Sequence, residues 1–356
     1  MTAAVPDPPS DRLPIAVITG FLGSGKTTLI RRLLAHPGMN RAAVIVNEFG
    51  EVGIDHELIA SSSENVSLLA NGCVCCVVRT DLQETLRKLF IQRQAAEVIE
   101  FNRVFIETSG MADPVPVTQA LLTDGFLAEQ YRVDCIATLV DAVNGEAQID
   151  QFEEALKQVA IADRMILTKR DLVEDAREAA LRACLWAINP HAEVAVAANG
   201  ELDPSFLTDV SPRGPRLDAP ALGRWLRAEP PPTSGQERYL GELVSAKRHR
   251  NILSFVLWFD EPFSWGAFAN AMQLLANLRG PDLLRVKGLV NVATERGPVV
   301  VHGAQHVFHP PLTLDAWPGP DRRSRLVFIT RGIPRDTIAQ LFGSVARLAG
   351  PSQDDR

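Results

Sequence analysis

Gly20-Phe21-Leu22-Gly23-Ser24-Gly25-Lys26-Thr27 is the stretch on which the reading of this chain turns. It fits G-x-x-x-x-G-K-[ST], follows the apolar run 15–19 and precedes the helical pattern 28–34. Glycines at Gly20, Gly23 and Gly25 let backbone N–H groups wrap a chain of phosphates, and the N-terminus of the next helix adds partial positive charge. Ser24 and Thr28 complete the cradle. Lys26 is placed to reach the β- and γ-phosphates, and the Thr27 hydroxyl to bind Mg²⁺. A plain glycine-rich turn is the alternative, and the strand–loop–helix context opposes it.

Outward from the loop, strands are expected at 15–19, 42–46, 66–69, 103–106, 135–140, 164–167 and 193–196. Most are continuously apolar, as parallel strands covered on both faces are. Helical stretches at 81–93, 148–160 and 175–188 alternate with them. That βαβ series predicts an α/β fold, a doubly wound, mostly parallel sheet of the P-loop nucleoside-triphosphatase kind, over residues 13–202. Recurrent prolines then mark a linker at 203–242 around a short helix near 222–226. A strand–helix–strand–strand–strand–helix series predicts a smaller α+β domain at 243–348, leaving disordered ends at 1–12 and 349–356.

A second phosphate-site element needs a carboxylate at the end of a neighbouring buried strand. Glu107 supplies it after Arg103-Val104-Phe105-Ile106, with Gly110 positioned for its N–H to sense a γ-phosphate. Glutamate reaches one methylene further than aspartate, which suits a water-mediated role; an exposed strand end is the alternative. Lys26, Glu107 and Gly110 make up the expected catalytic set. Thr168-Lys169-Arg170-Asp171 is similar to the Asn-Lys-x-Asp guanine motif. Asp171 can accept from guanine N1–H and the N2 amine, whereas adenine has no such amine and presents an acceptor at N1. Lys169 would lie along the base plane. Thr168, shorter than Asn, is expected to tie fewer loops together.

Cys73, Cys75 and Cys76 crowd three thiols into four positions after the 66–69 strand. If the chain bends at Gly72 they converge on one soft ion, Zn²⁺ or Cu(I), and a tetrahedral zinc needs one further ligand. No second cysteine pair exists, which excludes a closed zinc ribbon, and an incomplete ligand set is what a transfer site needs. Buried structural thiols or a vicinal disulfide are the alternatives. Glu48, within a segment 47–55 in the place of a nucleotide-responsive switch, binds the transported metal, meets Mg²⁺, or belongs to a solvated acidic loop. Cys135 and Cys184 read as core. His302, His306 and His309 form the densest histidine group, in a strand-and-turn context that suits structural roles or a metal.

Composition narrows the partners. Net charge is −7, from 36 basic and 43 acidic residues, which disfavours a nucleic-acid partner. No apolar run of about 18 residues spans a membrane. Five cysteines without an export signal suggest thiols in a reducing compartment, hence a cytoplasmic protein, monomer or dimer.

Together these segments resemble the CobW-type family of metal-chaperone GTPases, related to the nickel-insertion GTPases of hydrogenase and urease maturation. The likeness rests on residues 20–28, Asn47-Glu48-Phe49-Gly50-Glu51, Gly72-Cys73-Val74-Cys75-Cys76, Glu107-Thr108-Ser109-Gly110, Ala112-Asp113-Pro114 and Thr168–Asp171. It extends to Arg285-Val286-Lys287-Gly288 and the stretches 305–310 and 322–328 in the second domain. The resemblance implies hydrolysis of GTP to GDP with Mg²⁺, coupled to delivery of a transition metal, Zn²⁺ or alternatively Co²⁺ or Fe²⁺, to a client metalloprotein. Many such proteins carry a histidine-rich store; seven scattered histidines here do not make one. A nucleotide-binding metal sensor or sequestering module with negligible turnover is the alternative function. A small-molecule kinase is disfavoured, since no arginine-rich lid stands out and the cysteines would be idle.

Overall fold

The computed structural model describes residues 12–39, 41–47, 66–68, 74–78, 82–208, 210 and 251–348. The chain forms two compact units, one made of Pro9–Cys184 and Ala192–Gly214 and the other of the remainder. The short helix expected near 222–226 lies outside the described residues.

The first unit runs β1 (Leu13–Gly20), α1 (Lys26–Ala35), β2 (Ala42–Asn47), β3 (Val66–Leu68), β4 (Val74–Val78), α2 (Leu82–Gln94), β5 (Arg103–Thr108), α3 (Val115–Thr123), α4 (Gly125–Gln130) and β6 (Tyr131–Asp141). It continues with α5 (Gly145–Gln151), α6 (Glu153–Ile161), β7 (Arg164–Thr168), α7 (Asp175–Ile188) and β8 (Glu193–Val196). The sheet order is β3-β4-β2-β5-β1-β6-β7-β8. β1 therefore sits between β5 and β6, parallel to both, with Ile18 opposite Glu107 and Gly20 opposite Leu139. All eleven residues of β6 are buried, including Arg132 and Asp134, which pair with each other at 2.7 Å. α1 starts directly after Gly25, whose φ of 90° no β-carbon hinders. Leu29, Ile30, Leu33 and Leu34 form one helical stripe packed with Ile18, Phe105 and Leu139.

The sheet is mostly parallel, as expected, and several details lie outside the sequence reading. β3 is antiparallel to β4 at the sheet edge, so the doubly wound sheet is parallel except for that strand. β4 itself runs through the cysteine segment, because the β-branched Val74, Val77 and Val78 suit a strand better than a turn. The single helix expected at 148–160 is two helices, broken at Phe152, which is extended at φ −115° and ψ 126°. α3 and α4 were not anticipated. Asp124 separates them, accepting from Leu127 N at 3.1 Å as an N-cap and pairing with Arg87 of α2.

The second unit is an antiparallel sheet with two helices. Its elements are β9 (Ile252–Phe259), α8 (Trp265–Arg279), β10 (Leu283–Val290), β11 (Val299–Ala304), β12 (Val307–Phe308), β13 (Leu312–Thr313), β14 (Ser324–Arg331) and α9 (Arg335–Leu348). The order is β12-β11-β10-β14-β9, with β13 on β11. Phe255, Leu257, Val286 and Phe328 from the strands meet Phe268, Met272 and Phe342 from the helices. Strand alternation then sends Arg285 and Lys287 to the opposite face, where they are 1% and 2% exposed. Arg285 Nη2 lies 3.2 Å from His302 Nε2, and the His302 and His309 rings stack at 4.5 Å. Guanidinium only donates, so that imidazole nitrogen accepts. A buried guanidinium thus occupies one ring nitrogen of His302. Among the described residues no helix is long and apolar enough to cross a membrane.

Phe342, fully buried, meets the rings of Phe263, Phe268 and Phe328. Phe342→Ala should destabilise the second unit by about 3–5 kcal/mol. Denaturant unfolding followed by circular dichroism checks this; a second-unit midpoint unchanged from the parent would show that the helix–sheet interface is not its core.

Candidate functional site

The loop after β1 is built around backbone carbonyls. Gly20 has φ +146°, and a β-carbon there would stand 2.5 Å from the Leu139 carbonyl and 2.7 Å from Ser24 Oγ. Lys26 Nζ donates to the carbonyls of Gly20 at 2.9 Å and Phe21 at 3.4 Å, while Ser24 N donates to Phe21 O at 3.1 Å. Ser24 Oγ is buried and has no hydrogen-bond partner among the described residues. Phe21 packs on Phe152 with ring centroids 4.6 Å apart, so the break between α5 and α6 braces the loop. The loop after β8 closes on the other side, where a β-carbon on Gly200 would lie 3.0 Å from the Thr28 methyl. Gly20, Gly23, Ser24, Gly25, Lys26, Thr27 and Thr28 thus form one continuous turn and helix start.

Glu107 is buried, not an exposed strand end, and its Oε1 accepts from Thr27 Oγ1 at 2.9 Å. The pair offers two hard oxygen donors beside the phosphate loop, the donor type Mg²⁺ takes. Gly110 presses on the same loop: a β-carbon there would fall 2.8 Å from Leu22 N and 2.9 Å from Leu22 Cα. Gln158 of α6, which sequence reasoning missed, holds this segment by donating to the carbonyls of Gly110 at 3.2 Å and Ala112 at 3.0 Å. Its own backbone carbonyl accepts from Thr138 at 2.7 Å. A lone glutamine in a helix carries no signal of that role.

At the end of β7, Thr168 Oγ1 donates to Ser24 O at 2.8 Å and approaches Val140 O at 3.4 Å. The short hydroxyl thus bridges the phosphate loop to the end of β7, a tie the sequence reading discounted. Lys169 has φ +55°, and its Nζ donates to Asp141 Oδ2 at 2.7 Å. Asp141, the second residue missed, also accepts from Val143 N at 2.8 Å, Asn144 N at 3.3 Å and Asn144 Nδ2 at 3.0 Å. Burial pushes its carboxyl up, but Lys169, Asn144 and Val143 outweigh burial and hold it below the usual carboxylate range. Asp171 lies in the one-turn 3₁₀ segment Arg170–Leu172 and is exposed. Arg170 braces that turn through Glu178, Asp175 and the Val173 carbonyl.

Of the cysteines, Cys75 and Cys76 lie in β4, opposite Val44 and Ile45 of β2. Ile45 in turn faces Ile106 of β5, so the Cys76 backbone is one residue short of the level of Glu107 and two strands away. At the usual strand spacing that is about 10 Å across the sheet. Cys73 and Glu48 lie outside the described residues. Among the described residues no three His, Cys, Asp or Glu side chains group around a common point fit for a metal.

Comparison with known proteins matches two families. The CobW/HypB/UreG nucleotide-binding domain covers residues 14–196, and the cobalamin synthesis protein cobW C-terminal domain covers residues 252–346. The chain is 32% identical over 336 residues to the zinc chaperone YjiA of Escherichia coli, spanning 94% of this chain and 99% of that one. It is 35% identical over 226 residues to the zinc chaperone CobW of Pseudomonas aeruginosa, spanning 54% and 58% respectively. Among solved structures, the Zn(II)-bound YjiA GTPase from E. coli superposes with a TM-score of 0.73 at 30% identity, covering 94% of this chain and 99% of that one.

The Gly110 contact leads to a direct test. Gly110→Ala forces a methyl against the Leu22 backbone, so guanine-nucleotide affinity should fall about tenfold or more, about 1.4 kcal/mol. Titration calorimetry reads it, and an unaltered affinity would mean that Gly110 does not bear on the phosphate loop.

Proposed function

The chain belongs to the CobW/HypB/UreG family, and from that premise we propose that it is a GTP-hydrolysing metallochaperone. In this reading it carries a transition metal, zinc ahead of cobalt or iron, on Cys73, Cys75 and Cys76 and hands it to a client metalloprotein. The observation that carries the nucleotide half is the pair of hydrogen bonds that close the site, Thr27 to Glu107 and Thr168 to Ser24. They support a phosphate cradle and a base-reading motif acting as one unit. Similarity to a zinc chaperone over 94% of the chain supports the metal half. An odd number of cysteines, three of them crowded together, supports a cytoplasmic setting, and in this reading residues 13–202 are the GTPase domain and residues 243–348 the C-terminal domain.

Roles follow from chemistry. Lys26 leaves its carbonyl partners for the β- and γ-phosphate oxygens, and Gly20, Gly23, Ser24 and Gly25 supply N–H groups around them. Thr27 and Glu107 would hold Mg²⁺, which would neutralise charge developing on the phosphates. The fit is favourable, since the Gly20 cradle admits no β-carbon and both donors are oxygen. Gly110 faces the γ-phosphate, and Asp171 with Lys169 reads guanine. Glu48 adds an oxygen ligand to the transported metal.

Energetics then require a client. A site holding zinc at about picomolar level stabilises it by about 16 kcal/mol. Allosteric coupling supplies about 1–3 kcal/mol. Nucleotide state alone does not expel the metal into water; a client offering replacement ligands does, with GTP controlling docking.

Lys26→Ala should abolish GTP binding while circular dichroism stays unchanged; retained GTP affinity would remove the phosphate-loop assignment. Joint replacement of Cys75 and Cys76 by Ser should lower zinc affinity by orders of magnitude and leave metal-free GTP binding intact. Wild-type zinc affinity should fall as pH drops, because the thiols must lose protons to bind. Competition titration with a chromogenic chelator measures both. GTP must shift zinc affinity by the same factor that zinc shifts GTP affinity. Two factors of one would leave no switch, and absent multiple turnover with client present would favour a sensor or sequestering module.

A further inference from the structure

We infer that Asp141 is the positioning residue for base recognition: its buried carboxylate holds the Lys169 ammonium beside the purine ring, with Asn144 as its support. The inference rests on the reading of Thr168–Asp171 as the guanine site. Asp141 ends β6 directly opposite Thr168 at the end of β7, so the parallel ladder sets it next to the motif. An ion pair on a protein surface is worth little, because water and salt screen it. This one differs, since the Asp141 side chain is 1% exposed and Lys169 reaches down to it at 2.7 Å.

The carboxylate is also saturated. Oδ1 accepts the N–H groups of Val143 and Asn144, and Oδ2 accepts the Asn144 amide and the Lys169 ammonium. No lone pair points outward for a ligand, so Asp141 acts through Lys169. Lys169 needs that hold. Its φ of +55° lies in the left-handed region that non-glycine residues seldom occupy, and the next residues form the short turn presenting Asp171. One buried charge therefore fixes both the side chain that lies along the base and the turn that reads its edge.

Ring and edge contacts separate by experiment, with steady-state hydrolysis of GTP and of ITP, which lacks the exocyclic amine. Asp141→Asn keeps the shape and loses the charge. It should raise KM for GTP and ITP by the same factor, about tenfold, the order expected for a charge-assisted bond, with turnover at saturation kept. Lys169→Met should raise KM similarly, and Asp141→Asn added to it should raise KM no further. Asp141→Glu, charge retained but displaced, should fall between, and serves as the test if Asp141→Asn does not fold. A KM unchanged in both Asp141 variants overturns the proposal. So does an Asp141→Asn effect that adds in full on Lys169→Met, which marks a purely structural role. Asp171→Asn should erase the preference for GTP over ITP. If it does not, the guanine reading itself falls; if it does while Asp141 variants leave KM alone, only the positioning role falls.

Discussion

Everything at the site hangs on a backbone constraint: β5, β1, β6 and β7 run parallel and in fixed register. Ile18 stands opposite Glu107, Gly20 opposite Leu139, and Asp141 opposite Thr168. Strands laid the same way finish on the same edge, and the loops leaving them gather there. The ladder thereby converts sequence separations of 80 and 144 residues into the hydrogen bonds Thr27–Glu107 and Ser24–Thr168. No side chain chooses that proximity. The side chains refine it.

Close approach is the second requirement, and two glycines meet it differently. Gly20 gives way to a carbonyl from the adjacent strand, so the phosphate loop lies against β6. Gly110 gives way to Leu22, so the segment after β5 lies against the phosphate loop. Phe152 and Gln158 then brace from outside, one through a ring contact and the other through amide bonds. These contacts tie the segments after β1, β5 and β6 to one another.

The phosphate loop was legible because its glycine spacing and its position after an apolar strand are local properties. Glu107 was legible as a carboxylate near the end of an apolar strand. Asp141 was not, since its partner lies 28 positions on and an aspartate after an apolar strand looks like an ordinary turn residue. Thr168 was under-read: its reach depends on how near Ser24 comes, which only the register settles. The break at Phe152 escaped because both sides carry helical periodicity, and a tertiary ring contact overrides it. The cysteine segment was read by its thiols, whereas the flanking valines govern its backbone.

Lys26 rests on the carbonyls of Gly20 and Phe21. The loop is therefore moulded around a cation it carries itself, a placeholder of opposite sign to the phosphate it awaits. A long, flexible side chain is already immobilised and partly stripped of water when the chain folds, rather than when an anion arrives. The entropy of ordering it is charged to folding, and arrival becomes an exchange of one set of oxygens for another at a single ammonium.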